Sequence, residues 1–152
     1  MIKSDKLFDA LRNFKPMFWP ALPGRKNNRN AAVMVPIVFD KDWYVIMTLR
    51  SRKLKDHAGE MCFPGGKSQA GDRNLMETAI RETQEEIGWS NGCILGRLSS
   101  VPLYTSDFRL EPFVGLYPNQ KLKLSADEVD CAVLLSLTDL VCHKTYDGVV
   151  FN

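Results

Sequence analysis

Four charged residues crowd into one short segment of the chain. Residues 81–88 read RETQEEIG, so Arg81, Glu82, Glu85 and Glu86 lie within six positions, and the segment closes on Gly88. The three carboxylates repel one another, and no lysine stands among them to offset the repulsion. A divalent cation would remove this cost, and hard oxygen ligands of this type suit Mg²⁺ or Mn²⁺. The segment therefore predicts a metal site.

The acidic segment ends a predicted helix of about 15 residues, with Asp72 as candidate N-cap and Gly88 as candidate C-terminal residue. The three glutamates project together, on an arc centred about 120° away from an apolar stripe. That stripe is predicted to pack on a sheet and consists of Met76, Ala79, Ile80, Thr83 and Ile87.

Arg81 lies four residues before Glu85 and four residues after Glu77, so it can neutralise and orient part of the cluster. A solvated charged face is the ordinary role of a glutamate-rich helix. Two details favour a metal site here: the acids concentrate in the last turn, where the helix dipole disfavours negative charge, and no lysine accompanies them.

A glycine pair precedes the helix. Gly65 and Gly66 in CFPGGK allow a tight turn, so that a backbone carbonyl or N–H can approach a ligand or a metal ion closely. The order of a strand end, a glycine loop and a helix with clustered acids is more specific than any of these parts alone.

Strands and short helices surround this region. An amphipathic helix is predicted over 4–14 with Leu7, Leu11 and Phe14 on one stripe, followed by a loop to residue 30. Strands are predicted over 31–39, 43–50, 93–104, 109–117 and 129–137, and a short helical turn over 138–141. Strands flanking one strong internal helix indicate a mixed α/β or α+β layer fold.

Composition limits the classes of function. The 152 residues favour one domain, and the net charge of +2 gives no argument for nucleic-acid binding. Residues 1–30 carry +5 and residues 69–90 carry −3, which suits an anionic ligand met by metal cations. The sequence has neither an apolar run of about 20 residues nor a secretory start, so we expect no membrane span and a cytoplasmic location. The oligomeric state is left open, with a homodimer as one option.

The sequence resembles the Nudix box. Residues 81–89, RETQEEIGW, match its acidic, basic and glycine positions, although the stretch from glycine to arginine is longer than in the standard box. The longer stretch and the segment VIMTLRSRKLKDHAGEMCFPGGK are similar to the coenzyme A diphosphatase subfamily. The resemblance implies a single domain over residues 1–152, built as an α/β/α sandwich around a mixed sheet.

The resemblance also implies a reaction: metal-dependent hydrolysis of the pyrophosphate bond of coenzyme A or its derivatives to 3′,5′-ADP and 4′-phosphopantetheine. Glu82, Glu85, Glu86 and the carbonyl of Gly66 would be ligands of Mg²⁺ or Mn²⁺. Arg81 would orient the acids.

The general base is left open between Glu85 and Glu128. The 3′-phosphate of coenzyme A needs positive partners, for which the candidates are Arg50, Arg52, Lys53 and Lys55. Phe63 could stack on adenine, although core packing is its more ordinary role. Gly65 joins the substrate-binding set as part of the glycine loop.

Two other functions remain open at this stage. One is a Nudix hydrolase acting on ADP-ribose, a dinucleotide or another nucleoside diphosphate derivative. The other is a nucleotide-sensing module without turnover, although such a module would have no need of the full acid set. Proteins of the resembled subfamily usually continue into a final helix, and this sequence, which ends in TYDGVVFN, predicts that the helix is absent.

Overall fold

The computed structural model describes residues 3–142 and contains three helices and eight strands over that range. The helices are α1 (Ser4–Asn13), α2 (Leu75–Ile87) and α3 (Leu137–Cys142). The strands are β1 (Arg29–Asp40), β2 (Asp42–Arg50), β3 (Met61–Cys62), β4 (Gly65–Lys67), β5 (Cys93–Arg97), β6 (Val101–Pro102), β7 (Phe108–Tyr117) and β8 (Val129–Ser136). The predicted absence of a final helix concerns residues that lie outside this range.

One mixed sheet organises the chain. β1 runs parallel to β7 over ten residue pairs, from Arg29–Phe108 to Val38–Tyr117, whereas the other strand pairs are antiparallel. The tight connection between β1 and β2 is made by Lys41, whose φ of 62° is left-handed. Along one edge of β1, residues 37–40 pair with β2 and residues 31–33 pair with β4, where Gly66 lies opposite Ala32. This register places the glycine loop next to the centre of the sheet.

Each face of the sheet buries one apolar cluster. On one face, Ala79 and Ile87 of α2 pack with Ala32 and Met34 of β1. On the other face, Leu7, Phe8 and Leu11 of α1 pack against a cluster that includes Ile37. Side chains alternate between faces along a strand, so even-numbered residues of β1 meet α2 and odd-numbered ones meet α1. The arrangement confirms the predicted α/β/α sandwich with a mixed sheet.

Two predicted elements differ in extent from those of the structure. Phe14 does not join the α1 stripe: it is the extended C-cap and is 43% exposed, and α1 ends here because Pro16 disfavours helix at the following residue, Lys15. The strand predicted over 93–104 is divided into β5 and β6. Between β5 and β6, two serines bond to the loop residue Met17 instead of β7. The Ser99 hydroxyl accepts a hydrogen bond from the Met17 N–H, and the Ser100 N–H donates to the Met17 carbonyl.

The start of α2 also differs from the prediction. Asn74 rather than Asp72 is the N-cap, and its side chain accepts a hydrogen bond from the backbone N–H of Glu77 at 3.0 Å. Asp72 lies two residues further back and accepts a hydrogen bond from the Thr78 hydroxyl. At the other end the prediction is confirmed, because Gly88 adopts the left-handed conformation with φ 74°.

The buried face of α2 is rotated relative to the predicted stripe. Met76 is 36% exposed, whereas Thr78 and Glu86 are buried together with Ala79 and Thr83. The Thr83 hydroxyl donates to the carbonyl of Ala79 at 2.7 Å, which satisfies its polar atom inside the core. Within residues 3–142, none of the helices is both long and apolar enough to cross a membrane.

The cap of α2 yields a stability prediction. Replacing Asn74 with Ala removes the acceptor for the Glu77 N–H, and we expect the free energy of unfolding to fall by about 1 kcal/mol. Urea unfolding would measure the change, with Asn119→Ala as the control at an exposed asparagine outside the helices. Equal stability of Asn74→Ala and wild type would show that Asn74 does not cap the helix.

Candidate functional site

Arg81 is the hub of the acidic cluster. Its Nη1 donates to Glu82 Oε1 and to Glu85 Oε2, both at 2.8 Å. Its Nε and Nη2 each donate to one oxygen of Asp72 at 3.0 Å, and Nη2 also donates to the carbonyl of Lys67 at 3.2 Å. This bonding holds the pKa of the Asp72 carboxyl well below its usual range. Arg81 thus links α2 to the segment that follows the glycine loop.

The contact predicted between Arg81 and Glu77 is not formed. Glu77 instead accepts hydrogen bonds from the side chain and the backbone N–H of Arg73. Asp72 takes the place of Glu77 as the additional acid on Arg81. No sequence spacing rule marks this pair, because Asp72 precedes the helix and reaches Arg81 across nine residues.

Glu86 lies inside the protein at 5% exposure. Its Oε1 accepts a hydrogen bond from the backbone N–H of Gly65 at 3.3 Å. Burial, together with the negative charges of Glu82 and Glu128, raises the pKa of the Glu86 carboxyl to about 7, although the Gly65 N–H and Arg50 oppose the shift. The ionised form is therefore costly here unless a cation joins it.

Glu82 faces the second glycine of the loop. A Cβ atom built on Gly66 would lie 2.5 Å from Glu82 Oε1, so the carboxylate occupies the space that any other side chain would fill. Burial raises the pKa of Glu82, although Arg81 counteracts the effect. A larger residue at position 66 would therefore force the Glu82 carboxylate to move.

The acids suit a divalent cation by their chemistry. They offer hard carboxylate oxygens on adjoining turns of α2, next to the glycine loop, and burial raises the pKa values of Glu82 and Glu86, so that a cation would favour their ionised forms. Within residues 3–142, however, no three His, Cys, Asp or Glu side chains converge on one metal position. The reason is that Arg81 draws Glu82 and Glu85 toward itself, while Glu86 faces Gly65.

The two candidates for the general base occupy different positions. Glu85 is half exposed and ion-paired with Arg81. Glu128 lies on the exposed loop between β7 and β8, anchored by a hydrogen bond from the Ser51 N–H to its backbone carbonyl at 2.8 Å. Its charge contributes to the raised pKa values of Glu82 and Glu86, so the loop brings Glu128 to the edge of the acidic cluster.

Arg50 is the predicted substrate-binding cation that the structure brings to the acids. It ends β2, and its positive charge acts on both Glu86 and Cys62. Its buried Nε has no hydrogen-bond partner among the described residues. Thr48 and Cys62 complete this corner, with Oγ1 and Sγ 3.4 Å apart. Sequence reasoning missed these two residues, which carry no signal beyond an apolar strand context.

The other predicted substrate contacts lie further out. Arg52, Lys53 and Lys55 are exposed on the loop over 51–60, and none of them forms an ion pair within the described range. Phe63 is half-buried between β3 and β4, directly before Pro64.

A cavity of about 920 Å³ lies at the opposite end of the sheet. It is bounded by the start of α1, by Phe39 and Trp43 at the β1–β2 connection, and by the end of β7. None of the acids of α2 lines it, so its size does not identify the site; the clustered carboxylates do.

With this geometry established, comparison with known proteins identifies the family. The sequence profile of the NUDIX domain matches residues 28–146, so the chain belongs to the Nudix family. A protein of Pectobacterium atrosepticum named as an uncharacterized Nudix hydrolase, NudL, is 37% identical over 126 residues, which cover 81% of this chain and 65% of that protein. A protein of the same name from Yersinia enterocolitica is 40% identical over 95 residues, 61% of this chain and 48% of the relative. The chain therefore spans about half to two thirds of these relatives.

Solved structures support the fold. A C. elegans Ap4A hydrolase superposes with a TM-score of 0.60 at 19% identity, covering 74% of this chain and 83% of that chain. The NUDIX domain of Shewanella oneidensis NrtR, solved with ADP ribose, gives 0.59 at 16% identity over 92% and 87%. These likenesses show the Nudix fold and confirm the fold predicted from sequence.

The buried carboxyl of Glu86 yields a pH prediction. In the folded protein the pKa of the Glu86 carboxyl is about 7, whereas the ordinary pKa of a glutamate is 4.5. Between these values the folded state binds more protons than the unfolded chain, so the free energy of unfolding of the metal-free protein falls as pH rises. Glu86→Gln cannot ionise, and we expect it to gain roughly 2 kcal/mol over wild type between pH 5 and pH 8.

Urea unfolding in the presence of a chelator, repeated at several pH values, measures this difference. Glu77→Gln serves as the matched control, because it removes a carboxylate from the same helix away from the acidic cluster. Parallel pH profiles for Glu86→Gln and wild type would rule out a protonated Glu86 in the folded state.

Proposed function

We propose that this chain hydrolyses the pyrophosphate bond of a nucleoside diphosphate derivative, with coenzyme A or its derivatives as substrate. One observation carries the proposal: α2 presents three carboxylates beside a glycine loop, with Glu86 buried against Gly65 and Glu82 against Gly66. The segment from Arg50 through the glycine pair resembles the coenzyme A diphosphatases and supports the substrate. The products would be 3′,5′-ADP and 4′-phosphopantetheine.

The acids and the glycine loop fit a divalent metal ion, and Nudix hydrolases generally use such ions. Glu82, Glu85, Glu86 and the carbonyl of Gly66 would hold it, and either Mg²⁺ or Mn²⁺ suits these oxygen ligands. When bound, the ion would neutralise the charge of the diphosphate and ease attack by water. Arg81 would act as a positioning residue, since it touches Glu82 and Glu85 at 2.8 Å and fixes their carboxylates.

The remaining residues would bind substrate and move a proton. Water attacks one phosphorus, the bridging P–O bond breaks, and the water proton passes to a carboxylate. Glu128 suits this role best, because its side chain has no hydrogen-bond partner among the described residues, whereas Glu85 is ion-paired with Arg81. Arg50, whose positive charge acts on Glu86, would meet a phosphate oxygen.

An activity assay tests the proposal. Wild type would be incubated with coenzyme A, ADP-ribose and a dinucleoside polyphosphate in the presence of Mg²⁺ or Mn²⁺, and the products identified by mass. We expect metal-dependent formation of 3′,5′-ADP and 4′-phosphopantetheine. Glu86→Gln should lower the rate about a hundredfold or more, because it removes one of the charges that hold the cation.

Glu77→Gln is again the matched control and should retain activity, since among residues 3–142 the hydrogen bonds of Glu77 outside the helix ladder go to Arg73 and to the helix cap. Cleavage of ADP-ribose or the dinucleotide alone would keep the chemistry and overturn the coenzyme A substrate. Binding of these nucleotides without turnover, by protein with a cooperative unfolding transition, would favour a nucleotide-sensing module instead.

A further inference from the structure

Two cationic side chains lie against one aromatic ring at the start of the parallel strand pair. Arg29 Cζ is 4.4 Å from the centroid of the Phe108 ring, and Lys67 Nζ is 5.0 Å from it. The register explains the meeting, because Arg29 pairs with Phe108 and Lys67 pairs with Ala31, two residues further along β1. All three side chains therefore lie on the α1 face of the sheet.

These two cations have no carboxylate partner in the part of the chain that the structure describes. Within the described residues, neither Arg29 nor Lys67 forms an ion pair. The acids on the adjoining segments are engaged elsewhere: Asp107 Oδ1 accepts the Lys26 N–H at 2.9 Å, and Asp72 is held by Arg81. Two like charges beside one ring repel each other, and an anion between them would remove that repulsion.

The pair is tied to the acidic cluster by a short piece of backbone. Lys67 follows Gly66, which contacts Glu82, and the Lys67 carbonyl accepts a hydrogen bond from Arg81 at 3.2 Å. Because successive side chains alternate along a strand, the Lys67 ammonium projects away from the Glu82 carboxylate. An anion held by this pair would lie on the order of 10 Å from the acids, which is too far for the scissile diphosphate itself.

We propose that Arg29 and Lys67 bind a second phosphate group of the substrate, a phosphate monoester remote from the scissile anhydride. For a coenzyme A-type substrate this group is the 3′-phosphate. Arginine and lysine are the usual phosphate partners, with the arginine able to form paired hydrogen bonds. The inference rests on the proposed function and deepens it, because it makes the remote phosphate a determinant of substrate choice.

The loop cations Arg52 and Lys53 are poorer candidates for this role. The Asp130 carboxylate accepts the Arg52 backbone N–H at 3.3 Å, and Ser51 bonds to the backbone of Glu128, so acids stand directly beside the start of this loop. The negative charge of these acids offsets the positive charge of Arg52 and Lys53. Among the described residues, the acid bonded to the backbone of this pair is Asp107, whose main-chain carbonyl accepts the Arg29 N–H at 3.1 Å.

Paired substrates test the proposal. The double variant Arg29→Gln with Lys67→Gln would be compared with wild type on coenzyme A and on 3′-dephospho-coenzyme A. We expect kcat/KM for coenzyme A to fall by about tenfold or more, mainly through KM, because charge-assisted hydrogen bonds are lost. The dephosphorylated substrate should change by less than about twofold, because it lacks the group concerned.

The control Arg52→Gln with Lys53→Gln removes the same two residue types and the same charge. It should leave the ratio of the two kcat/KM values unchanged. Equal losses of kcat/KM on both substrates in the Arg29 and Lys67 variant would overturn the assignment. So would a fall, in the control, of kcat/KM for coenzyme A relative to the dephosphorylated substrate.

A binding measurement separates this inference from the proposed reaction. Calorimetry with a chelator present would compare 3′,5′-ADP with 5′-AMP, which differ only in the remote phosphate. Wild type should bind 3′,5′-ADP about tenfold or more tightly, and the Arg29 and Lys67 variant should lose that preference. Equal affinity of wild type for both nucleotides would refute the phosphate site, even if hydrolysis is observed. A preference without any turnover would retain the site and refute the reaction.

Discussion

The site depends on one guanidinium that neutralises several acids at once. Arg81 donates four hydrogen bonds to the carboxylates of Asp72, Glu82 and Glu85, and a fifth to the backbone carbonyl of Lys67. Without a cation at this position, the carboxylates of α2 would repel one another at the end of the helix where the dipole is already unfavourable. Arg81 therefore lets the chain fold with its acids assembled, and it fixes the glycine loop to the same helix.

Burial and charge divide the acids of α2 into distinct roles. Glu86 is enclosed and protonates easily, Glu82 is packed against the glycine loop, and Glu85 remains half exposed on Arg81. Glu128 approaches from a separate loop. A cluster with such unequal environments can hold charge in some positions and exchange protons in others, which is what hydrolysis of a charged anhydride requires.

Sequence patterns predicted much of this arrangement, because they reflect local rules. The 3.6-residue period predicts α2, and the prediction that Gly88 ends this helix is confirmed. The patterns failed where a distant contact decides the outcome. Asp72 was expected to cap the helix, but Asn74 does so, which frees Asp72 to bind Arg81. Glu86 was placed off the core, although the strands around Gly65 enclose it.

The parallel pairing of β1 with β7 also determines when the site is completed during folding. The β1–β2 connection and the contact between α2 and the glycine loop join residues close in sequence, so they can form early. Arg29 meets Phe108, and Ser51 meets Glu128, only after some eighty intervening residues have been brought back to the sheet. A ribosome-bound chain that already carries α2 and its acids would thus still lack the edge of the site contributed by β7 and the loop that follows it.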